Sequence, residues 1–171
     1  MNVEVQEQVT VWNQRIEEYG MKISVEKSKT VMMTRSKRKG RGNIEVNGNL
    51  LEIVKRFLYL GSILTEDGTI REEIGKRIQQ ANGFYRCVRG LVWNQEVPEK
   101  CKEVLFSMNY TPILTYAAGT WTITKRNESR IQAAEMKLLR GKIRKTRRDK
   151  IRNVDIRERT GFSKLQEKID Q

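Results

Sequence analysis

Apolar residues recur along this chain in two rhythms, and the change between them falls near residue 65. Val5, Val9, Trp12, Ile16 and Tyr19 follow a 4-3-4-3 spacing, which places them on one face of a helix over residues 4–19, with Gly20 as its C-terminal stop. Two short β-prone pieces follow, Met21–Val25 and Thr30–Thr34, separated by the charged run EKSK. Arg35–Gly42 reads as a basic, glycine-containing loop. In IEVNGNLLEIV the pair Asn47-Gly48 is the strongest two-residue turn signal and predicts a hairpin. Phe57–Leu64 predicts a further strand, ended by the turn residues Glu66, Asp67 and Gly68.

Beyond that turn the pattern is helical. Ile70, Ile74, Ile78, Ala81, Tyr85, Val88 and Val92 keep a 4-4-3-4-3-4 spacing and mark one face of a long helix. Arg71, Lys76, Arg77, Arg86 and Arg89 fall on its other faces, and Gly83 and Gly90 weaken it. A second helix is expected from Pro98, with Glu99 in its first turn and Val104, Leu105 and Met108 inward. Pro112 should kink or split it. A third is expected from about Glu128 to Arg144, with Ile131, Leu138, Leu139 and Ile143 inward. Past Asn153 short helices, including Lys164–Ile169, are expected and would be marginal alone. The predicted class is α+β: a helix plus short antiparallel strands over residues 1–65, a helical region over 66–145, and a basic tail over 146–171.

Charge changes this picture more than length does. Against 34 Lys and Arg stand 21 Asp and Glu, a formal net charge of +13. A fold does not require such an excess, and a polyanionic partner accounts for it. Hydrophobic residues make up 37% of the chain, which predicts a modest core. No apolar run approaches the roughly 18 residues that would span a bilayer, and no signal-peptide pattern opens the sequence. These points predict a soluble intracellular protein, nuclear or cytoplasmic, with no membrane partner. Histidine is absent, and Cys87 and Cys101 have no CxxC spacing, which excludes zinc fingers, histidine acid–base catalysis and Ser-His-Asp triads. Both cysteines fall on helical patterns and read as free thiols.

Two strings carry a further signal, GMKISVEKSKT at Gly20–Thr30 and FLYLGS at Phe57–Ser62. In this order and spacing they resemble the last two palm motifs of the reverse transcriptases of non-LTR (LINE-type) retrotransposons. The likeness continues through IREEIGKRIQQANGFYRCVRGL, through NYTPILTYAAGTW at Asn109–Trp121, and through GKIRKTRRDKIRNVDIRERTG at Gly141–Gly161, so it covers nearly the whole chain. The resemblance implies a palm portion over residues 1–65 and a helical thumb-like region over 66–145. It implies that Lys27 matches the lysine near the incoming nucleotide's phosphates, and that Phe57, Leu58, Tyr59, Leu60 and Gly61 match the primer-grip hairpin. It also implies RNA-directed DNA synthesis as the family activity, with Mg²⁺ as the cofactor of full-length members. The family's Tyr-x-Asp-Asp loop should precede Val5, and no such string occurs in the chain. The expectation is therefore a piece without the catalytic aspartates, inactive alone and without a cofactor of its own, whose natural partner is the N-terminal polymerase half. YAAGTW also departs from the acidic-Trp form of the family.

Two basic clusters complete the reading. Lys27 to Arg41 holds seven basic residues and no acid, and Lys137 to Arg152 holds nine against the single Asp149. Such blocks repel themselves unless solvated or neutralised. Lys37, Arg38, Lys39 and Arg41 read as nucleic-acid contacts, a solvated loop, or a nuclear import signal. Arg140, Lys142, Arg144, Lys145, Arg147 and Arg148 read as backbone contacts to RNA or an RNA–DNA hybrid, which is recognised mainly by shape and phosphates. Two alternatives to a polymerase fragment stay open: a stand-alone basic nucleic-acid-binding protein, and a non-functional retroelement remnant.

Overall fold

The computed structural model describes residues 2–33 and 42–165. The class is α+β, and the chain divides into two compact units, Met1–Thr69 and Ile70–Gln171. Among the described residues no helix is long and apolar enough to cross a membrane.

The first unit is one helix and three small strand pairs. Helix α1 (Asn2–Glu18) ends as the sequence indicates, with Gly20 at φ +72° and its N–H on the Glu17 carbonyl at 2.9 Å. Strands β2 (Glu45–Val46) and β3 (Asn49–Leu50) form the expected antiparallel hairpin, and both Asn47 and Gly48 take the positive φ that its tight turn demands. The expected single strand at Phe57–Leu64 is instead a second hairpin, β5 (Arg56–Tyr59) and β6 (Ser62–Thr65), turning at Leu60 (φ +46°) and Gly61 (φ +85°).

Two other expectations are corrected. Met21–Val25 forms no strand. The strands are not all antiparallel, because β1 (Lys29–Thr30) pairs in parallel with β4 (Glu52–Ile53), and Lys29 Nζ meets Glu52 Oε2 at 2.6 Å. The connection between them carries the β2–β3 hairpin, giving the chain the length a parallel return requires. The apolar stripe of α1 is only partly covered: Trp12 and Tyr19 are 62% and 76% exposed, while Val9 and Ile16 are half-buried. The helix turns Gln6, Val9, Asn13 and Ile16 inward and docks on the hairpin through polar groups. The Gln6 amide donates to Glu45 O at 2.9 Å and accepts from Glu45 N–H at 2.8 Å, while Asn13 Nδ2 donates to Asn47 Oδ1 at 2.6 Å. Ile44, Val46 and Ile63 are the buried apolar residues described in this unit, a thin core.

The second unit is helical. Helix α2 (Arg71–Trp93) runs unbroken through Gly83 and Gly90 and buries Ile74, Ala81, Tyr85 and Val92, the face its spacing marks. Helix α5 (Lys125–Lys142) starts at Thr124, whose hydroxyl accepts from Asn127 N–H at 3.3 Å, and buries Ile131, Leu138 and Leu139 as expected. Helix α6 (Asn153–Thr160) adds Ile156 to the same core, and Leu165 is buried after it. Residues 153–165 are thus part of this unit and not a trailing tail; Gln166–Gln171, with most of the expected Lys164–Ile169 helix, lie outside the described residues.

The proline-containing segment departs furthest from its pattern. Helix α3 (Glu99–Val104) runs into a π-helical turn, Leu105–Tyr110, and then into α4 (Thr111–Thr115) with Pro112 in its first turn. The buried positions are Lys102, Phe106, Tyr110 and Leu114, while Val104 and Met108, expected inward, are exposed. Buried residues four apart drift about 40° per step around an ordinary helix of 3.6 residues per turn. The wider π turn absorbs that drift and keeps all four on one side. Cys87 and Cys101 are free and exposed, on α2 and α3.

Tyr110 sits at the centre of this unit, 1% exposed, with its hydroxyl donating to Ala134 O at 2.6 Å. Burial first, and the charge of Glu135 second, push its ionisation well above the ordinary value of 10. A proton held more tightly in the folded state gives stability that is full below pH 10 and lost above it. Stability should therefore fall by about 1.4 kcal/mol per pH unit from this residue above pH 10. Urea unfolding at pH 9, 10 and 11 checks this, with Tyr110→Phe giving the flatter profile.

Candidate nucleic-acid interface

The cationic residues of the helical unit do not form one undivided surface. Helix packing sorts them into interior clamps and an open groove.

The clamps come first because they correct an expectation. Lys142, expected at a nucleic-acid surface, is 7% exposed and turned inward. Its ammonium donates to Glu103 Oε1 at 3.1 Å and to Thr160 O at 3.4 Å, lies 3.5 Å from Glu99 Oε2, and stands over the Phe162 ring at 5.0 Å. It ties α5 to α3 and to the end of α6. Lys102, also buried, donates to Glu99 Oε1 at 2.9 Å. The hydrogen bond from Lys102 is the largest influence holding the Glu99 carboxyl below the usual carboxylate range, with both lysine charges adding to it. Arg157 grips Glu135 with two parallel bonds of 2.9 and 2.5 Å, the geometry in which arginine and carboxylate pair best.

The groove opens between α2 and α5. Its volume is about 630 Å³. Arg86 and Arg89 border it from α2, Lys137 and Arg140 from α5, and Lys145 and Arg147 from the turn that follows. Tyr85 and Trp93 supply its aromatic wall, and among the described residues no carboxylate lines it. The two rings are locked together, with Trp93 Nε1 donating to Tyr85 Oη at 2.9 Å. Each carries a cation near its face, Lys137 Nζ at 5.6 Å from the Tyr85 ring centre and the Arg89 guanidinium at 5.6 Å from that of Trp93. Lys137 also donates to Asn82 Oδ1 at 2.8 Å, which joins α5 to α2 across the groove's edge.

Gly141 makes this meeting of helices possible. A Cβ at that position would lie 2.6 Å from Tyr85 Oη and 3.1 Å from Trp93 Nε1. Only a residue without a side chain lets the α5 backbone come so close to the aromatic pair.

The third wall is a local fold. After α5, Arg144 takes a left-handed conformation (φ +54°), and a short 3-10 turn covers Arg147–Asp149. Thr146 and Asp149 cap it reciprocally: Thr146 N–H and hydroxyl both donate to Asp149 Oδ2, at 2.7 and 2.8 Å, and Arg148 N–H donates to Thr146 Oγ1. The backbone bond from Thr146, then its hydroxyl, hold the Asp149 carboxyl below its ordinary range. Lys145 lies 3.7 Å from the other carboxylate oxygen. Arg140 is half-buried, fixed by Asn153 Oδ1 at 2.6 Å and more loosely by Met136 O at 3.4 Å. Burial, and secondly the like charge of Arg147, lower its hold on its proton. Arg140 and Arg147 also border a neighbouring hollow of about 290 Å³ with Lys150.

Of the expected site residues, then, the structure brings Arg140, Lys145 and Arg147 together and removes Lys142 to the interior. Arg144 and Arg148 are exposed but do not line the groove, and Arg144 faces the Gln95 carboxamide. Lys37, Arg38, Lys39 and Arg41 lie outside the described residues. In the first unit Lys27 is exposed in a turn, and the Phe57–Gly61 stretch forms one arm and the tip of the β5–β6 hairpin, with Phe57 half-buried and Leu58, Tyr59 and Leu60 exposed. Arg86, Arg89, Lys137 and the Tyr85–Trp93 pair were not singled out from sequence as site residues. The available signals were an aromatic pair eight residues apart flanking two arginines, and the Thr146-x-x-Asp149 capping pattern. Among the described residues no group of three or more acids or cysteines is placed to hold a metal ion. Comparison with protein-family models, curated proteins and solved structures gives no significant match to this chain.

Two substitutions separate clamp from groove. Lys142→Met should lower the urea midpoint, because it leaves Glu99 and Glu103 facing one another without their shared cation. Gly141→Ala should be costlier, by about 1–3 kcal/mol, since the added carbon forces the Tyr85–Trp93 pair to move. Equilibrium unfolding of both variants measures the difference.

Proposed function

We propose that this chain is the palm-and-thumb portion of a non-LTR retrotransposon reverse transcriptase, and that its helical unit grips the sugar-phosphate backbone of nucleic acid through the α2–α5 groove. The observation that carries the binding part is the convergence of Arg86, Arg89, Lys137, Arg140, Lys145 and Arg147, from two helices and a turn, on one concavity that no carboxylate lines among the described residues. Uniform solvation would scatter these charges, whereas a polyanion is the partner that accepts several at once. The family reading rests on the Gly20–Thr30 and Phe57–Ser62 strings and their collinear continuation. Under it an RNA–DNA hybrid is the substrate class, and the described residues contribute binding without the carboxylates that two-metal phosphoryl transfer requires. DNA synthesis would then depend on the N-terminal polymerase half.

A second reading, a stand-alone basic nucleic-acid-binding module, is favoured by the closed core of the helical unit, which runs from Ile74 to Leu165. Both readings share the groove, and they differ in preference for a hybrid.

Binding of a labelled RNA–DNA hybrid should weaken linearly in log K against log salt. Replacing Lys145 and Arg147 together with alanine should reduce that slope by about 1.4–1.8, the release of two phosphates' counterions. Lys142→Met should leave the slope unchanged. A slope that does not respond to the double substitution removes the groove from the interface, and equal affinity for hybrid and duplex DNA favours the stand-alone module.

A further inference from the structure

Backbone contact accounts for the groove's cations but not for its aromatic wall. A duplex presents phosphates along a convex edge, and a convex basic helix face suffices to meet them. This site is concave, and its volume of about 630 Å³ falls in the range of small-molecule pockets, roughly 300–1,000 Å³. That is room for a nucleotide.

The two ends of such a bay differ in chemistry. At the aromatic end Trp93 is half-buried with its ring NH already committed to Tyr85 Oη at 2.9 Å. It has no donor left for a ligand, and what it offers is a flat apolar surface. The Arg89 guanidinium, 5.6 Å from the ring centre, is a second planar group beside it. A base, which needs a π surface and a delocalised cation rather than a particular hydrogen bond, is the ligand group that fits. At the other end Arg140 is held in place by Asn153 with Arg147 next to it, two like charges at one spot. The acid close by, Asp149, is engaged by both Thr146 groups and Lys145. Among the described residues the groove's own lining holds no counter-charge for the Arg140–Arg147 pair, and a phosphate is the group that would supply one.

We propose that the α2–α5 groove is a bay for one unpaired nucleotide of a single strand, with the base against Trp93 and Arg89 and the adjoining phosphate on Arg140 and Arg147. This rests on the nucleic-acid reading above and adds to it: the groove selects a strand whose base is free to leave its stack. Sequence preference should be weak, because every base has a face to stack.

The test uses the full chain, an eight-nucleotide oligothymidylate, the same strand carrying 5-iodouracil, and an RNA–DNA hybrid of equal length. Trp93→Leu should weaken single-strand binding by about 5- to 100-fold, the usual worth of one base–aromatic stack, and hybrid binding less than twofold. Irradiating the iodinated strand on the unaltered chain should place the adduct on Trp93, as read by peptide mass spectrometry. Equal losses on both ligands, or adducts confined to other residues, overturn the bay. If circular dichroism shows Trp93→Leu unfolded, the adduct position on the unaltered chain decides alone. Hybrid binding without single-strand binding sinks the bay and leaves the backbone interface standing, whereas binding of neither ligand sinks both.

Discussion

Glu135 is a carboxylate 1% exposed, in the middle of α5. Leaving such a charge unpaired costs several kcal/mol, and the helical unit is arranged so that it is not. Arg157 meets it with both terminal nitrogens and also donates to Ser163 O at 2.9 Å. One side chain thereby fixes α6, and the chain leaving it, against α5. A second flank of α5 is held by Gly141 against Tyr85 and Trp93, and Lys142, seven residues on from Glu135 and so on nearly the same face, reaches Glu103. With those sides occupied, Lys137 and Arg140 remain along the flank that faces the groove. The interior pairs therefore decide which cations the surface can use.

That division explains what the sequence could and could not convey. The faces of α2 and α5 were readable because regular helices turn spacing into direction: Ile74, Ala81 and Val92, and likewise Ile131, Leu138 and Leu139, are buried where the pattern put them. The segment before Pro112 was not, since its π turn alters the number of residues per turn and no local residue announces it. The Asn47-Gly48 hairpin was legible from turn chemistry. The Leu60-Gly61 turn was not legible that way, because leucine is a poor residue for positive φ; only the primer-grip resemblance implied a hairpin there, while the spacing pattern read Phe57–Leu64 as one strand.

Charge was the least legible property. Lys142 and Lys145 lie three residues apart in one basic run, yet one is an internal tether and the other borders the groove. Sign and density are visible in a sequence, but the partner of a given ammonium depends on which helix arrives opposite it. Lys142 could be recognised as a clamp only once α3 was known to bring Glu99 and Glu103 beside it. The α1 stripe is a related case: its spacing predicts the helix and its Val9 and Ile16 turn inward, but the docked face is shared with Gln6 and Asn13, whose hydrogen bonds with Glu45 and Asn47 the apolar pattern does not register.

The Thr146–Asp149 cap has a consequence for timing. Its bonds close over three residues or fewer, so this wall of the groove costs little loop entropy and assembles on the scale of local turn formation, far ahead of the slower docking of helices. Its bonds lie within residues 146–149, so the shape of this wall is set independently of the helix contacts that place the other two.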